Sequence, residues 1–365
     1  MRKTILLIAL LFCLCGVCYA QTDLVEEQSQ MYRTDSLYDG LDEESKALLQ
    51  GVSPTQTTTY AQTLSSIFSD ALTGASSTFR EAVRSICLIL LVVILCASMQ
   101  NLNGRFTPQI CSFAGVLGIA AVCTQSVSSM MGLARELTDR IVNFCTLLLP
   151  VMTSTAVASG AAASGTVLFA GTSLFSTVLL RVMNAMLVPM VYCFTAISCA
   201  DCACGESRLS KLRELIGWVI SASLKIIMYG FTGYIAVTGL FSASADAAAL
   251  KAAKTAFSTM LPVVGGIVSD AAESVLAGAK LLKSSVGVFG MLAILAIGIA
   301  PFVRIAMHYL AIRLAAAISG TVGGQNFGNL LSAFSSAMGY LLAIAGCAVL
   351  MALVSCVSFL KVGIT

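Results

Sequence analysis

Residues 261–287 have the sequence LPVVGGIVSDAAESVLAGAKLLKSSVG, an amphipathic helical pattern between two stretches that are almost entirely apolar. At 100° per residue, the apolar and polar side chains fall on opposite faces of a helix. The apolar face carries Val264, Ile267, Val268, Ala271, Val275, Ala279 and Leu282, and the polar face carries Asp270, Glu273, Lys280, Lys283 and Ser284. Such a helix can lie on a bilayer, re-enter it, or face water inside an assembly, and it fits a lone lipid-facing span worst.

The rest of the chain has the composition of a membrane protein. Of its 365 residues, 58% are hydrophobic and 11% are charged, whereas soluble domains have roughly 25% charged residues. Several apolar runs exceed the roughly 18 residues that distinguish a membrane span from a buried core helix. We therefore predict an all-α, polytopic helical membrane protein with about 7 (roughly 6–8) transmembrane helices, plus amphipathic interfacial or re-entrant helices. The predicted spans cover about residues 85–103, 110–132, 141–158, 166–199, 214–241, 286–310 and 334–360.

The N-terminus has the pattern of a secretory signal peptide over residues 1–20. Arg2 and Lys3 precede an apolar stretch, and a small residue, Ala20, stands where cleavage would occur. An uncleaved first membrane helix is the alternative interpretation. If the peptide is cleaved, the mature chain begins outside the cytoplasm.

Residues 21–84 form an acidic region before the first span. Between residues 22 and 84 there are ten Asp and Glu and four Lys and Arg, whereas residues 85–365 carry eight acidic and fifteen basic side chains. The stretch up to about Thr59 is polar and poor in apolar residues, which predicts a flexible extracytoplasmic segment. From residue 60 to 84, apolar residues recur at helical spacing and predict an interfacial helix that leads into the first span.

The spans divide the remaining chain into three regions. These are a first group of transmembrane helices over residues 85–241, an amphipathic helix pair over 242–285, and a second group over 286–365. The apolar stretch 166–199 is too long for one ordinary span, so it is either one tilted helix or two short helices hinged near Arg181. With an external loop at 135–140, two short helices put the basic residues at 208–213 in the cytoplasm, as the positive-inside rule expects. We therefore favour the hairpin.

One cysteine cluster has metal-like or redox-like spacing. Cys199, Cys202 and Cys204 could bind a soft metal or cycle a disulfide. Tetrahedral zinc needs a fourth ligand, however, and the chain has a single histidine, His308. We therefore predict no metal site and interpret the cluster as a cysteine-rich helix end.

Arg304 and His308 form a second group of interest, because they are four residues apart and follow Pro301. They share one helix face beside a possible kink, and ionisable side chains within a span are expected to face protein or water. Such a face could line an aqueous path. The candidate pore-lining or docking residues are therefore Asp270, Glu273, Lys280, Lys283, Arg304 and His308.

Few residues of the chain could support catalysis. The sequence contains no phosphate-binding Gly-x-x-x-x-Gly-Lys-Ser/Thr motif, no His-Glu-x-x-His and no Gly-x-Ser-x-Gly. No acidic residue lies within a strongly apolar span, which argues against a proton-coupled pump. We predict no enzyme and no cofactor.

The motifs LPVVG (261–265), SDAAESV (269–275) and LLKSSVG (281–287) resemble those of the stage III sporulation protein AE family. The resemblance extends from about Tyr60 to the end of the chain. It implies a polytopic subunit of the sporulation channel between mother cell and forespore, located in the mother-cell membrane around the forespore. It also implies, as partners, other subunits of the same complex, including a ring-forming subunit, and the lipid bilayer, but no nucleic acid. No catalytic residues come with the family.

The residues alone leave a second class of function open, an independent secondary transporter or permease for a small solute. The chain shows no clean internal repeat, which argues against an inverted-repeat transporter. Uptake of a substrate by the purified chain in liposomes, without other subunits, would distinguish this class from a channel subunit.

Overall fold

The computed structural model describes residues 35–49, 60–74, 76–101, 108–204, 209–260, 265–322 and 325–361. For residues 238–260, 265–278 and a few others it describes the backbone alone. The elements, in chain order, are α1 (Asp35–Asp39), α2 (Glu43–Leu48), α3 (Tyr60–Gly74), α4 (Ser76–Asn101), α5 (Pro108–Ala158), α6 (Ala162–Val182), a π-helical segment (Met183–Leu187), α7 (Val188–Cys204), α8 (Ser210–Met260), α9 (Gly265–Val322) and α10 (Gln325–Lys361).

Six helical stretches of the described chain are long and apolar enough to cross a membrane. They are Thr78–Met99, Phe113–Ala158, Gly165–Ala203, Ser210–Val237, Ala279–Val322 and Gln325–Leu360. The described residues contain no strand. The prediction of an all-α, polytopic helical membrane protein is therefore confirmed, with the number of spans at the lower end of the expected range.

Helix α5 unites two predicted spans, 110–132 and 141–158, in one helix of 51 residues. At 1.5 Å per residue it is roughly 75 Å long, more than twice the ~30 Å of bilayer hydrocarbon. The charged stretch 135–140, which we expected to be an external loop, is a helical part of α5. Its charge does not end the helix, because Arg140 pairs with Glu136 one turn earlier.

The hairpin favoured within 166–199 is wrong. Helix α6, the π-helical segment and α7 follow one another without a loop from Ala162 to Cys204. The π-helical segment begins two residues after Arg181, and Pro189 is the second residue of α7. Proline has no N–H to donate to a carbonyl one turn earlier, and a single wider π turn accommodates such a gap without breaking the helix.

Helix α5 runs antiparallel to α6 and α7. The paired positions descend along one helix as they ascend along the other: Gly165 lies beside Ala156, Asn184 beside Asp139, and Tyr192 beside Ser128. Residues 102–107 and 205–208 therefore follow helix ends at the same end of the bundle. Lys211 and Arg213, in the first turn of α8, consequently lie at that end without a hairpin, as the positive-inside rule expects of basic residues.

The predicted amphipathic helices of 242–285 are continuous with their neighbours. Helix α8 continues 23 residues past its apolar span, from Val237 to Met260. Helix α9 begins at Gly265, 14 residues before its span starts at Ala279. Pro262, Gly265 and Gly266 are residues that favour a break within this pair; α8 ends at Met260 and α9 begins at Gly265, and residues 261–264 lie outside the described ranges. The stretch thus extends two membrane helices instead of forming a separate layer.

Helices α5, α9 and α10 form the centre of the bundle, and glycines bring them close together. A Cβ atom on Gly298 would lie 2.6 Å from Val349 Cγ2, and one on Gly290 would lie 2.9 Å from Leu148 Cδ1. At the Gly320–Gly328 crossing the backbones themselves meet, since a Cβ on Gly328 would lie 2.9 Å from the Cα of Gly320. Small residues let helices approach in this way when packing, not water, drives their association.

Both turns that flank α6 and α7 are locally satisfied. Gly160, with φ of 91°, ends α5, and Ala161 and Gly160 donate their N–H groups to Ala156 and Val157, which is the Schellman arrangement. At the other end the buried Asp201 accepts a hydrogen bond of 3.0 Å from the N–H of Leu209 and pairs with Arg213 at 3.6 Å. Asp201, in the cysteine-rich stretch, therefore has a structural role in closing the turn into α8.

Part of the segment that we predicted to be flexible is folded. Helices α1 and α2 pack on the bundle, and the side chains of Leu37, Leu41 and Leu49 are buried. The prediction was wrong for residues 35–49, because three leucines at about helical spacing suffice to anchor an otherwise polar stretch. The helix expected after residue 60 is present as α3, with Ile67 buried against the bundle and Phe68 exposed.

Substitution of Gly328 by Ala is expected to lower the stability by about 1–3 kcal/mol, because overpacking forces two backbones apart. Thermal unfolding of the detergent-purified full chain, followed by loss of its monodisperse chromatographic peak, measures the effect. Gly233→Ala is the matched control, because a Cβ at Gly233 meets no atom within 4 Å and alanine is the better helix former. Equal unfolding temperatures for the two variants would contradict the close contact.

Candidate functional site

Five charged residues from three parts of the chain meet at mid-height in the bundle. Arg140 of α5 donates to Asp42 Oδ2 at 2.9 Å and to Glu136 Oε1 at 2.7 Å. Arg304 of α9 donates to Glu44 Oε1 at 2.8 Å, and Glu44 also interacts electrostatically with Arg140. We call Asp42, Glu44, Glu136, Arg140 and Arg304 the ionic cluster. It joins the N-terminal acidic segment to two of the three central helices.

The N-terminal segment is held by apolar contacts as well as by charge. Gly40, between α1 and α2, approaches the Leu147 side chain so closely that a Cβ would collide with it. Asp42 precedes α2, and its second carboxylate oxygen accepts a hydrogen bond of 2.6 Å from the Ser45 hydroxyl. Both oxygens of Asp42 are therefore used. This arrangement aims the carboxylates of the segment at Arg140 and Arg304.

A second polar contact lies at a similar height on α5. Asn184, in the π-helical segment, donates from Nδ2 to Asp139 Oδ1 at 3.3 Å. Asn184 Oδ1 is buried and has no hydrogen-bond partner in the described part of the chain. The middle of the bundle is thus a polar layer between two apolar halves.

The structure separates Arg304 from His308, the pair expected to share one aqueous face. Arg304 is 42% exposed and engaged by Glu44. His308, one turn further along α9, is only 6% exposed and interacts electrostatically with Glu81 of α4. Arg304 therefore anchors the N-terminal segment, whereas His308 lies inside the helix bundle.

The four candidates from the opening segment lie at the start of α9. Lys280 is exposed, as expected for the polar face, and Ala279 and Leu282 of the apolar face are buried. Lys283 is 4% exposed, although the pattern assigned it to the polar face. The buried face here is 279, 282, 283 and 286, which is a regular helical stripe. Asp270 and Glu273 have a helical backbone, but their side chains lie outside the described part of the structure.

The cysteine cluster has no metal-binding arrangement among the residues that the structure describes. No group of three or more His, Cys, Asp or Glu side chains in the described ranges is placed to hold a metal ion. Cys199 instead borders a cleft beside α5. In the ionic cluster each carboxylate is paired with an arginine, so the cluster holds segments of the chain together.

Sequence reasoning missed Asp42, Glu44 and Arg140, the centre of the ionic cluster. Two signals were available: the leucines at 37, 41 and 49 within the acidic segment, and the opposite net charges of residues 22–84 and 85–365. Neither signal specifies a pairing. Asp42 and Arg140 are 98 positions apart in the chain, and nothing local to either residue indicates the other.

Comparison with known families identifies the protein family. The family model described as stage III sporulation protein AE matches residues 48–363. The chain belongs to the stage III sporulation protein AE family. A role in sporulation follows from this membership, and the predicted resemblance is confirmed.

A curated member of the family is similar over most of the chain. Stage III sporulation protein AE of Bacillus subtilis (strain 168) is 23% identical over 266 residues, which cover 70% of this chain and 65% of that protein. The chain therefore matches slightly less than two thirds of the relative's length. No solved structure matches the chain.

Reversal of the charge at Arg140 is expected to release the N-terminal segment. Arg140→Glu would face Asp42, Glu136 and Glu44 with a fourth carboxylate, and like charges repel at this distance. Hydrogen–deuterium exchange of residues 35–49 in the full chain should rise, and restoring the pair with Asp42→Arg should recover about 1–2 kcal/mol of coupling.

Arg135→Glu is the matched control for this experiment, since Arg135 is exposed on the same helix and forms no ion pair within the described residues. Exchange at residues 35–49 should stay at its wild-type rate in that variant. Equal exchange in both variants would show that the ionic cluster does not hold the segment.

Proposed function

We propose that this protein is a polytopic membrane subunit of the sporulation channel complex that connects mother cell and forespore. It lies in the mother-cell membrane surrounding the forespore and is required for late forespore development. It performs no catalysis and needs no cofactor. The family match over residues 48–363 carries the proposal, and the six membrane-length helices agree with it.

The orientation that we propose has the N-terminal segment outside the mother-cell cytoplasm. The signal-peptide pattern at residues 1–20 and the acidic character of 21–84 both favour an external N-terminus. The start of α8, with Lys211 and Arg213, then faces the cytoplasm, in agreement with the positive-inside rule. The ionic cluster and the turn at Gly160 face the space between the two membranes.

The helical extensions at residues 238–260 and 265–278 supply a surface for partners on that external side. Helix α8 starts at the cytoplasmic end, where its Gly217 contacts Tyr340 of α10. Further along, Tyr234 of α8 contacts Gly171 of α6. Because α8 continues for 26 residues after Tyr234, its last residues extend past the turn at Gly160. The extensions carry Asp270 and Glu273 and are amphipathic by sequence. We propose that they dock other subunits of the complex, including a ring-forming subunit.

Deletion of the gene in the native spore-forming host tests this proposal. Heat-resistant spore counts should fall sharply and recover when the wild-type gene is returned. Normal counts in the deletion strain would refute the proposed role.

Docking through the extensions is tested by charge reversal. The double variant Asp270→Lys with Glu273→Lys should reduce co-purification of partner subunits from sporulating cells, because it inverts the charge of the proposed docking face. Lys211→Glu, an exposed reversal at the cytoplasmic end, is the matched control and should capture partners like wild type. Equal capture by both would mean that partners bind elsewhere.

A further inference from the structure

One outward face of α5 is polar where the rest of the membrane surface is apolar. Between residues 121 and 132 its exposed residues follow helical spacing, and none is a large apolar side chain; nearer the start of α5 the same face carries the exposed Phe113 and Leu117. The exposed residues between 121 and 132 are Ala121, Thr124, Gln125, Ser128, Ser129 and Gly132, which we call the polar stripe. The exposed Arg135, Glu136 and Asp139 continue it to the ionic cluster.

The neighbouring helix α4 shows that the polar stripe lies at membrane depth. The α4 span Thr78–Met99 has 22 residues, or roughly 33 Å, the thickness of one bilayer core. A Cβ on Gly115 would lie 2.8 Å from Cys96 Sγ, and one on Gly118 would lie 3.4 Å from Val92 Cγ1. This antiparallel register sets the α4 span beside about residues 112–132 of α5.

Other outward faces at this depth carry large apolar side chains. On α4 these are Leu88, Leu91, Ile94, Leu95 and Met99; on α9 they are Leu310, Leu314 and Ile318. Such faces suit contact with lipid tails. Hydroxyl and amide groups facing hydrocarbon without partners are costly, so polar positions in a span face water or protein.

The polar stripe also borders a cleft. A recess of about 680 Å³ lies between α5 and α7, lined by Leu117, Ala120, Ala121, Thr124, Gln125, Ser128, Ser129 and Cys199. The Tyr192 hydroxyl, on α7, is within 3.3 Å of the Ser128 hydroxyl at its edge. The recess therefore presents hydroxyl and amide groups, which can donate and accept hydrogen bonds, and the charged residues 135, 136 and 139 follow on the same face of α5.

We propose that the polar stripe lines a water-filled passage that enters the membrane from the side of the ionic cluster. Its walls offer neutral hydroxyl and amide groups, so it admits water and small hydrophilic solutes. Both signs of charge stand at its mouth, on Arg135, Glu136 and Asp139. This assigns the aqueous surface to α5 and not to the Arg304–His308 face. The assignment of this passage to a sporulation channel rests on the proposed function.

Thiol labelling in sporulating cells tests the passage directly. Single cysteines replace Ala121, Gln125, Ser128 or Gly132 in the full chain, on a background with alanine at the native cysteines and wild-type spore yield. Controls are Leu91→Cys and Leu95→Cys on the lipid face of α4, and Met131→Cys, buried in α5. A charged, membrane-impermeant reagent needs a hydrated thiolate, so the stripe positions should react at least about tenfold faster than the controls.

Two results would overturn the proposal. The first is labelling of the stripe no faster than of Leu91→Cys. The second is protection of the stripe together with disulfide formation between two copies of Ser128→Cys, which would make the face a contact between copies of this chain.

A second variant needs no cysteine-free background. Gln125→Leu with Ser128→Leu makes the stripe apolar and should lower spore yield while the protein accumulates at its wild-type level. The control variant is Leu91→Gln with Leu95→Ser, which exchanges the same residue types in the opposite direction on the lipid face of α4. It should leave the passage open. Wild-type spore yield in the Gln125→Leu, Ser128→Leu strain would count against a passage.

The labelling result is independent of the proposed function. If deletion of the gene leaves spore counts normal while the stripe is labelled, the sporulation role fails and the hydrated face stands. If deletion abolishes spores while the stripe is protected, the passage fails and the sporulation role stands.

Discussion

The roughly 30 Å of bilayer hydrocarbon is the constraint on which the arrangement of the long helices depends. Helices α5, α8 and α9 have 51, 51 and 58 residues, far more than one crossing requires. Only part of each helix can face lipid, so apolar side chains on the rest are buried against neighbouring helices or other protein. Close contacts at Gly290, Gly298 and Gly328 supply that cover for the central helices α5, α9 and α10.

Two arginines in the middle of these helices, Arg140 and Arg304, are held by ion pairs. Both side chains are only partly exposed, and a partly buried charge is costly without a partner. Asp42 and Glu44 supply those partners and, through the same bonds, fix the N-terminal segment to α5 and α9. These two ion pairs therefore hold the N-terminal segment against α5 and α9. In the proposed orientation they lie at the external surface of the membrane, where α5 and α9 leave the lipid.

Apolar composition predicted the all-helical membrane architecture, but charge misled the division into spans. Residues 135–140 were expected in a loop because they are charged, whereas Arg140 pairs both with Glu136 one turn earlier and with Asp42, 98 positions away in the chain. Counting two spans where α5 is one helix reversed the side of the membrane assigned to every later loop. A hairpin near Arg181 was then needed to return the basic residues of 208–213 to the cytoplasm. Lys283 shows the same limit, because helical periodicity gives a face but not what packs against it.

The sequence by itself determined the class of the protein, the approximate position of its apolar segments and its family, because hydrophobicity and short motifs are properties of neighbouring residues. Only the tertiary structure decided which segments join into single helices, that residues 35–49 fold onto the bundle, and that Arg304 is paired while His308 is buried. The polar stripe of α5 can be recognised as a polar surface at membrane depth only by comparison with the apolar outward faces of α4 and α9. These features depend on contacts between residues far apart in the chain, which no local pattern encodes.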